Sequence, residues 1–184
     1  MKIKHVLAIT GLTILGLAAA GTTLAASKAQ INKRVTAALS HFDSLNPANR
    51  SLTDKSAGML VFPRVAKGGA GVAAEFGEGV LQVKGKTVGY YSVGAASVGL
   101  TLGLAEHSEI IMFMTQDSLD KFTSTKGWSI GADAGITVVS GGANGTYDSK
   151  IEEKPILGFQ FSNKGLLADL SLEGEKITQI KTGG

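Results

Sequence analysis

Residues 58–104 read GMLVFPRVAKGGAGVAAEFGEGVLQVKGKTVGYYSVGAASVGLTLGL, and the reading of this stretch decides the fold. Met59 to Phe62 is a continuous apolar run short enough for a buried strand, and Pro63, which lacks an N–H, closes it or sits at an edge. Lys67-Gly68-Gly69 reads as a basic turn. Val80 to Val83 and Thr87 to Ser92 flank Lys84-Gly85-Lys86, the pattern of a β-hairpin. Farther on, Val98, Leu100, Leu102 and Leu104 share one pleat face, while Ser97, Gly99, Thr101, Gly103 and Ala105 share the other. A face of such small residues lets another element approach the backbone closely. The stretch is therefore a succession of strands, a scaffold packed tightly from one side.

Upstream, Ile31, Val35, Leu39 and Phe42 recur at helical spacing and predict an amphipathic helix over Ser27–Phe42, with Lys28, Lys33, Arg34 and His41 mostly elsewhere on it. Asn46-Pro47-Ala48-Asn49 breaks the pattern, and Ser51-Leu52-Thr53-Asp54 resembles a capping box for a short helix through Ala57. Downstream, Ile110–Met114 is a buried-strand candidate, and Thr115 caps a short helix over Gln116–Phe122. Ile130 to Val138 alternates like a strand, and Gly141–Asp148 is a polar loop. Ile156–Phe161 and Gly165–Leu172 form a hairpin, with a last strand near Ile177–Ile180. The class is α+β: a glycine-rich antiparallel sheet or partly closed β-barrel with an N-terminal amphipathic helix and one or two short helices. Long helices do not alternate with the strands, which excludes a doubly wound fold.

Residues 1–25 have the organisation of a secretory signal peptide: basic Lys2 and Lys4, an apolar stretch from Val6 to about Ala20, then small residues. Thr23 and Ala25 suit cleavage before Ala26, and a cut before Ser27 is the alternative. An uncleaved anchor is the rival reading, but Thr10, Gly11, Thr13 and Gly16 dilute a stretch already shorter than the ~20 residues of a spanning helix. Residues 26–184 then form one mature domain, periplasmic and peripheral on a membrane if it docks there. The chain has no cysteine, so neither disulfides nor an N-terminal lipid-modified cysteine are available to it. Without Lys2 and Lys4 it carries 16 basic against 15 acidic residues, a balance that favours no polyanionic partner globally.

Two motifs fail on inspection. Gly69-Ala70-Gly71-Val72-Ala73-Ala74 fits a loose dinucleotide pattern, but Gly77 and Gly79 would interrupt the helix that must follow. Gly85-Lys86-Thr87 imitates the end of a phosphate loop with the wrong glycine spacing and a strand after it. The mature chain has only His41 and His107. His107, near Glu106 and Glu109, is a weak metal or acid/base candidate outweighed by a solvated loop. Ser92, Ser97 and Ser140 sit in no nucleophile-elbow context. The basic residues are dispersed and not interleaved with aromatics, so nucleic acid is not a partner. No catalytic residue, metal, nucleotide or other cofactor is expected, and the protein is read as non-enzymatic.

What remains is a set of basic residues: Lys28, Lys33 and Arg34 on the first helix, Arg64 and Lys67 around Pro63, and Lys84 and Lys86 at the hairpin. Gathered on one surface they would bind anionic lipid, with Ile31, Val35, Leu39 and Phe42 as the membrane-facing apolar residues. Scattered, they are ordinary solvated lysines and arginines. The order of Ala57-Gly58, Phe62-Pro63, Val65, Lys67-Gly68-Gly69, Gly77-Glu78-Gly79-Val80-Leu81, Tyr90-Tyr91, Ser97-Val98-Gly99-Leu100 and Ile110 to Thr115 resembles the SYLF domain, as do Gly165-Leu166-Leu167-Ala168 and Leu172-Glu173-Gly174 near the end. The resemblance implies a phospholipid-binding domain, with phosphoinositide and actin binding known in eukaryotic members. In those members a basic amphipathic N-terminal segment is associated with membranes. For an exported bacterial protein it implies anionic phospholipids such as phosphatidylglycerol or cardiolipin. The alternatives are a carrier of a small apolar ligand and an envelope structural or interaction protein.

Overall fold

The computed structural model describes residues 26–140, 147–148, 150–167 and 171–181, with residues 97–102 described by backbone alone. The order of elements is α1 (Lys28–Leu45), α2 (Pro47–Lys55), β1 (Gly58–Val83), β2 (Lys86–Phe113), α3 (Gln116–Ser124), β3 (Trp128–Ser129), β4 (Thr137–Val138), a 3₁₀ turn at Ile151–Glu153, β5 (Ile156–Ser162), β6 (Gly165–Leu166) and β7 (Lys176–Gln179).

One long hairpin dominates. The strands expected as a succession between residues 58 and 113 are two, β1 and β2, antiparallel from Gly58↔Phe113 to Val83↔Lys86. Lys84 (φ 50°) and Gly85 (φ 71°) make the two-residue turn, whose two left-handed positions match the twist of the flanking strands. Pro63 does not end its strand. The register passes from Phe62↔Glu109 to Val65↔His107, so one extra residue of β1 bulges where the missing N–H would have broken the ladder. The Pro63 carbonyl instead accepts a hydrogen bond from Ser108 Oγ at 2.9 Å.

The Gly-Gly turn expected at Lys67–Gly69 is instead part of an elbow in this hairpin. Between Ala70↔Leu102 and Val72↔Val98, β2 spends two more residues than β1, the longer path on the outside of a bend. Gly71 (φ 76°) supplies a left-handed backbone there. Beyond the elbow the two halves of β1 lie side by side. A Cβ on Gly77 would stand 2.9 Å from the Arg64 carbonyl oxygen, and one on Gly79 would stand 2.2 Å from that of Val61. Close approach is thus made at Gly77 and Gly79, whereas of the small-residue face expected at Ser97–Ala105 the side chains of 97–102 lie outside the described residues and a Cβ on Gly103 would meet nothing described within 4 Å.

The resulting seven-stranded sheet curls without closing, so the open antiparallel sheet describes it and the barrel does not. On the edge of β2 opposite β1, β5 pairs with Ser108–Phe113 and β7 with Tyr91–Gly94. β3 extends β7, β6 extends β5, and β4 adds a short parallel pair to β5. Strict alternation sends the apolar residues to two cores. Leu60, Phe62, Leu81, Val93, Ile111 and Phe113 pack with Leu119 and Phe122 of α3 and with Trp128, while Met59, Val61, Val80, Ile110, Met112, Phe159 and Phe161 pack under α1.

Three local expectations change. Asn46-Pro47 is a helix start: Asn46 Oδ1 accepts from the Ala48 N–H at 2.9 Å and Pro47 takes the first turn, where no N–H is needed. Ile130–Val138 keeps only the bridge Ile130↔Ala134 and the short β4, because Gly131 (φ 90°) and Asp133, whose carboxylate accepts from the Ser129 N–H at 2.6 Å, turn the chain. The expected strand Gly165–Leu172 is reduced to β6, with 168–170 outside the described residues; loop 141–148 is described only at 147–148.

Candidate functional site

α1 lies over the seam between the two halves of β1. Ser27 caps it with a reciprocal pair, Ser27 Oγ accepting from the Gln30 N–H and Gln30 Oε1 from the Ser27 N–H, each at 3.3 Å. Its middle is fixed by Asn32 Nδ2, which donates to Tyr90 Oη at 2.9 Å, and its end by Asn49 Nδ2, which donates to the Phe42 carbonyl at 2.6 Å. Tyr147 Oη donates to the other end of the Asn49 amide.

This docking corrects the placement of the apolar face. Ile31, Val35 and Phe42 are buried under the sheet, Phe42 completely, and Leu39 packs at their edge. They are core residues and not a membrane-facing stripe, because the seam itself offers the apolar surface that the helix needs to cover. The helix presents Lys28, Lys33 and Arg34 to solvent.

The basic residues do not form one patch. Arg34 and Arg64 line one cleft of about 330 Å³ near the elbow, with Gln30, Pro63, Phe76 and Glu78. Lys84 lines a different depression, with Thr36, Leu39, Asp43, Arg50 and Asp54. Helix rise puts the centres of the two linings roughly 11 Å apart along α1. Lys86 is exposed beside Lys84 at the hairpin turn. Arg64 Nε meets Glu106 Oε2 at 2.5 Å, and Lys67 Nζ meets Glu75 Oε2 at 3.3 Å in a largely buried pair. Lys67 is thereby neutralised within the protein, whereas Arg34 and Arg64 keep donors at the surface.

The elbow also carries apolar groups the sequence did not single out. Leu104 is 93% exposed, Val72 61% and Phe76 56%, and Phe76 forms part of the Arg34–Arg64 cleft. An isolated exposed apolar residue is ordinary, but here Phe76 stands beside two arginines, with Val72 and Leu104 exposed on the arms of the same bend. No helix among the described residues is long and apolar enough to cross a membrane.

Behind the elbow lies a polar cluster that no local motif announces. His107 is not in a solvated loop: it is buried on β2, its Nε2 3.4 Å from Gln160 Nε2 and 4.0 Å from Glu75 Oε1. Burial lowers its pKa, opposed by Glu75, so the imidazole is neutral and its Nε2 accepts from the Gln160 amide. Glu109 and Glu175 are buried beside it. Burial raises both pKa values; that of Glu109 is raised further by Glu175, and that of Glu175, with Glu75 adding, reaches about 8. Among the described residues no donor is fixed to either carboxyl, and burial with mutual repulsion favours the uncharged form. Among the described residues no group of three or more His, Asp, Glu or Cys is arranged to hold a metal ion.

A carboxyl whose folded pKa lies above its unfolded value stabilises the fold below the unfolded value and loses that contribution as pH rises towards the folded one. Stability is therefore expected to fall between about pH 4.5 and 8, at ~1.4 kcal/mol per pH unit for one proton. Glu175→Gln should flatten this slope and exceed the parent in stability at pH 8, with the two converging near pH 5. Denaturant unfolding across that range measures it, and parallel slopes would rule out a buried Glu175 that keeps its proton into this range.

Residues 94–182, a little under half the chain, match the family model described as Ysc84: Las17-binding protein actin regulator. No curated protein matches the chain. The matched segment takes in the outer arm of the elbow, most of the polar cluster and every element from α3 to β7, and the motif order ahead of it continues the resemblance through β1. Residues 94–182 are thus similar to the SYLF (Ysc84) family, a family of binding domains consistent with lipid or membrane engagement.

Proposed function

We propose that the mature chain, residues 26–184, is a non-enzymatic, peripheral protein of the periplasm that docks on anionic phospholipid at the elbow. Arg34 and Arg64 meet headgroup phosphates, where planar guanidinium groups make strong paired hydrogen bonds. Phe76, with Val72 and Leu104 on the same bend, enters the interfacial region, while Lys28 and Lys33 add long-range attraction. The observation that carries this reading is the half-exposed Phe76 in one cleft with both arginines. It moves the apolar contact from the buried face of α1 to the bend, and keeps the basic face of the helix.

Co-sedimentation with phosphatidylglycerol vesicles tests it. Each basic residue near an anionic surface contributes about 1 kcal/mol, so Arg34→Gln with Arg64→Gln should weaken binding about 30-fold. Phe76→Ser should weaken it further, and Lys84→Gln with Lys86→Gln should change it far less. Equal binding of the parent to phosphatidylcholine vesicles, or unchanged binding of the double arginine variant, would refute the elbow as the contact.

A further inference from the structure

The backbone nitrogen of Ala26 donates to Glu78 Oε2 at 3.1 Å. Glu78 is half-buried on β1, in the cleft that Arg34 approaches from α1 and Arg64 from the neighbouring half of β1. The residue directly ahead of the α1 cap is thus fixed by a carboxylate far along the chain. Ala26 is also the first residue of the mature chain if the leader is cut after Ala25, the bond that Thr23 and Ala25 suit.

We propose that cleavage of the Ala25–Ala26 bond turns this hydrogen bond into an ion pair, making Glu78 the binding site for the α-ammonium of the mature protein. The step is a hydrolysis: the Ala25 carbonyl carbon gains the hydroxyl of water and leaves as a carboxylate, and the Ala26 nitrogen gains protons to become an ammonium. A single amide donor is replaced by three charged ones at the same place, and the attraction between two unit charges is added to the hydrogen bond. Processing then does more than release the protein, because it tightens the N-terminus of α1 over the seam and sets a positive charge beside Arg34 and Arg64. The charged groups facing the new terminus are Glu78, Arg34 and Arg64. The pairing is expected to hold while the ammonium is protonated and to fade as pH rises past its ordinary value of about 8.

This inference rests on residues 1–25 being an export leader. The test has two parts. Intact mass and N-terminal sequencing of the protein recovered from the periplasm should give Ala26 as residue one. Unfolding is then measured for four purified proteins: chains beginning at Ala26, or at Gly-Ser placed ahead of Ala26, each with Glu78 or with Glu78→Gln. The extension restores an amide at Ala26 and moves the ammonium away. At pH 7 the substitution should lower the folding equilibrium constant about tenfold in the Ala26 chain and less than threefold in the extended one, and the difference should shrink by pH 9.5. A start at Ser27 removes the donor and overturns the proposal, as does an equal loss in both pairs. An intact leader would overturn the export reading as well. A correct start with equal losses would leave that reading, and the vesicle result, standing.

Discussion

Gly79→Val is expected to leave no folded protein. A Cβ at this position would stand 2.2 Å from the Val61 carbonyl oxygen, 2.9 Å from its carbon and 2.7 Å from Phe62 Cδ1. The first two are backbone atoms of the other half of β1, locked by their own ladder to β2, so no rotamer change relieves the contact. Separating the halves would open the seam that α1 covers, and with it both cores. A cost beyond 4–5 kcal/mol is a large share of the 5–15 kcal/mol that holds a typical domain together. Gly135→Ala is the control: no atom of the described residues lies within 4 Å of its would-be Cβ, and a change within about 1 kcal/mol is expected. Soluble yield and thermal melting of the two variants check the pair, and a folded Gly79→Val protein would contradict the side-by-side arrangement.

Phe42→Ala should cost about 3–5 kcal/mol, the range for emptying a buried aromatic site. The ring is fully buried, edge-to-face with Phe159 at 4.9 Å between centroids and tilted against Phe161 at 5.5 Å. Its backbone carbonyl, which accepts from the Asn49 amide, survives the substitution, so the cost is that of the emptied ring site. Denaturant unfolding measures the cost. Vesicle binding per folded molecule should be unchanged, which separates a core residue from a membrane-inserting one: unchanged stability with weakened binding would restore Phe42 to the membrane face.

Much of the fold was legible because it is local. The helical period of Ile31, Val35 and Phe42, the cap at Thr115 and the turn at Lys84-Gly85 each declare their geometry within a few residues. Asn46-Pro47 was misread because a helix breaker and a helix opener use the same two residue types, and only the following turn distinguishes them. The apolar stripe of α1 was legible as a stripe, yet periodicity says that a face must be covered and not by what. Glu106, Ser108 and Glu109 surround His107 in sequence and give it the local pattern of a solvated loop. In the fold its neighbours are Glu75, Gln160 and Lys67, which come from other strands or another part of the hairpin. Glu109 and Glu175 meet only through the pairing of β7 with β2, and the elbow exists only in a register between strands. Long-range proximity of this kind has no local signature.

The two-residue turn at Lys84-Gly85 also sets an order of assembly. Each rung closed from Val83↔Lys86 outward shortens the loop for the next, so the first arm can zip at little entropic cost. The bend then brings the open end of the hairpin back beside this finished arm, Gly58 reaching the Gln82 carbonyl, so the second arm grows along a surface already in place. A strand pair with widely separated ends thereby becomes a series of short closures, and the contact order that would slow a sheet of this span is met in steps. The glycines at 77 and 79 are then needed before the native state is reached, at the moment the returning arm first touches the one that formed ahead of it.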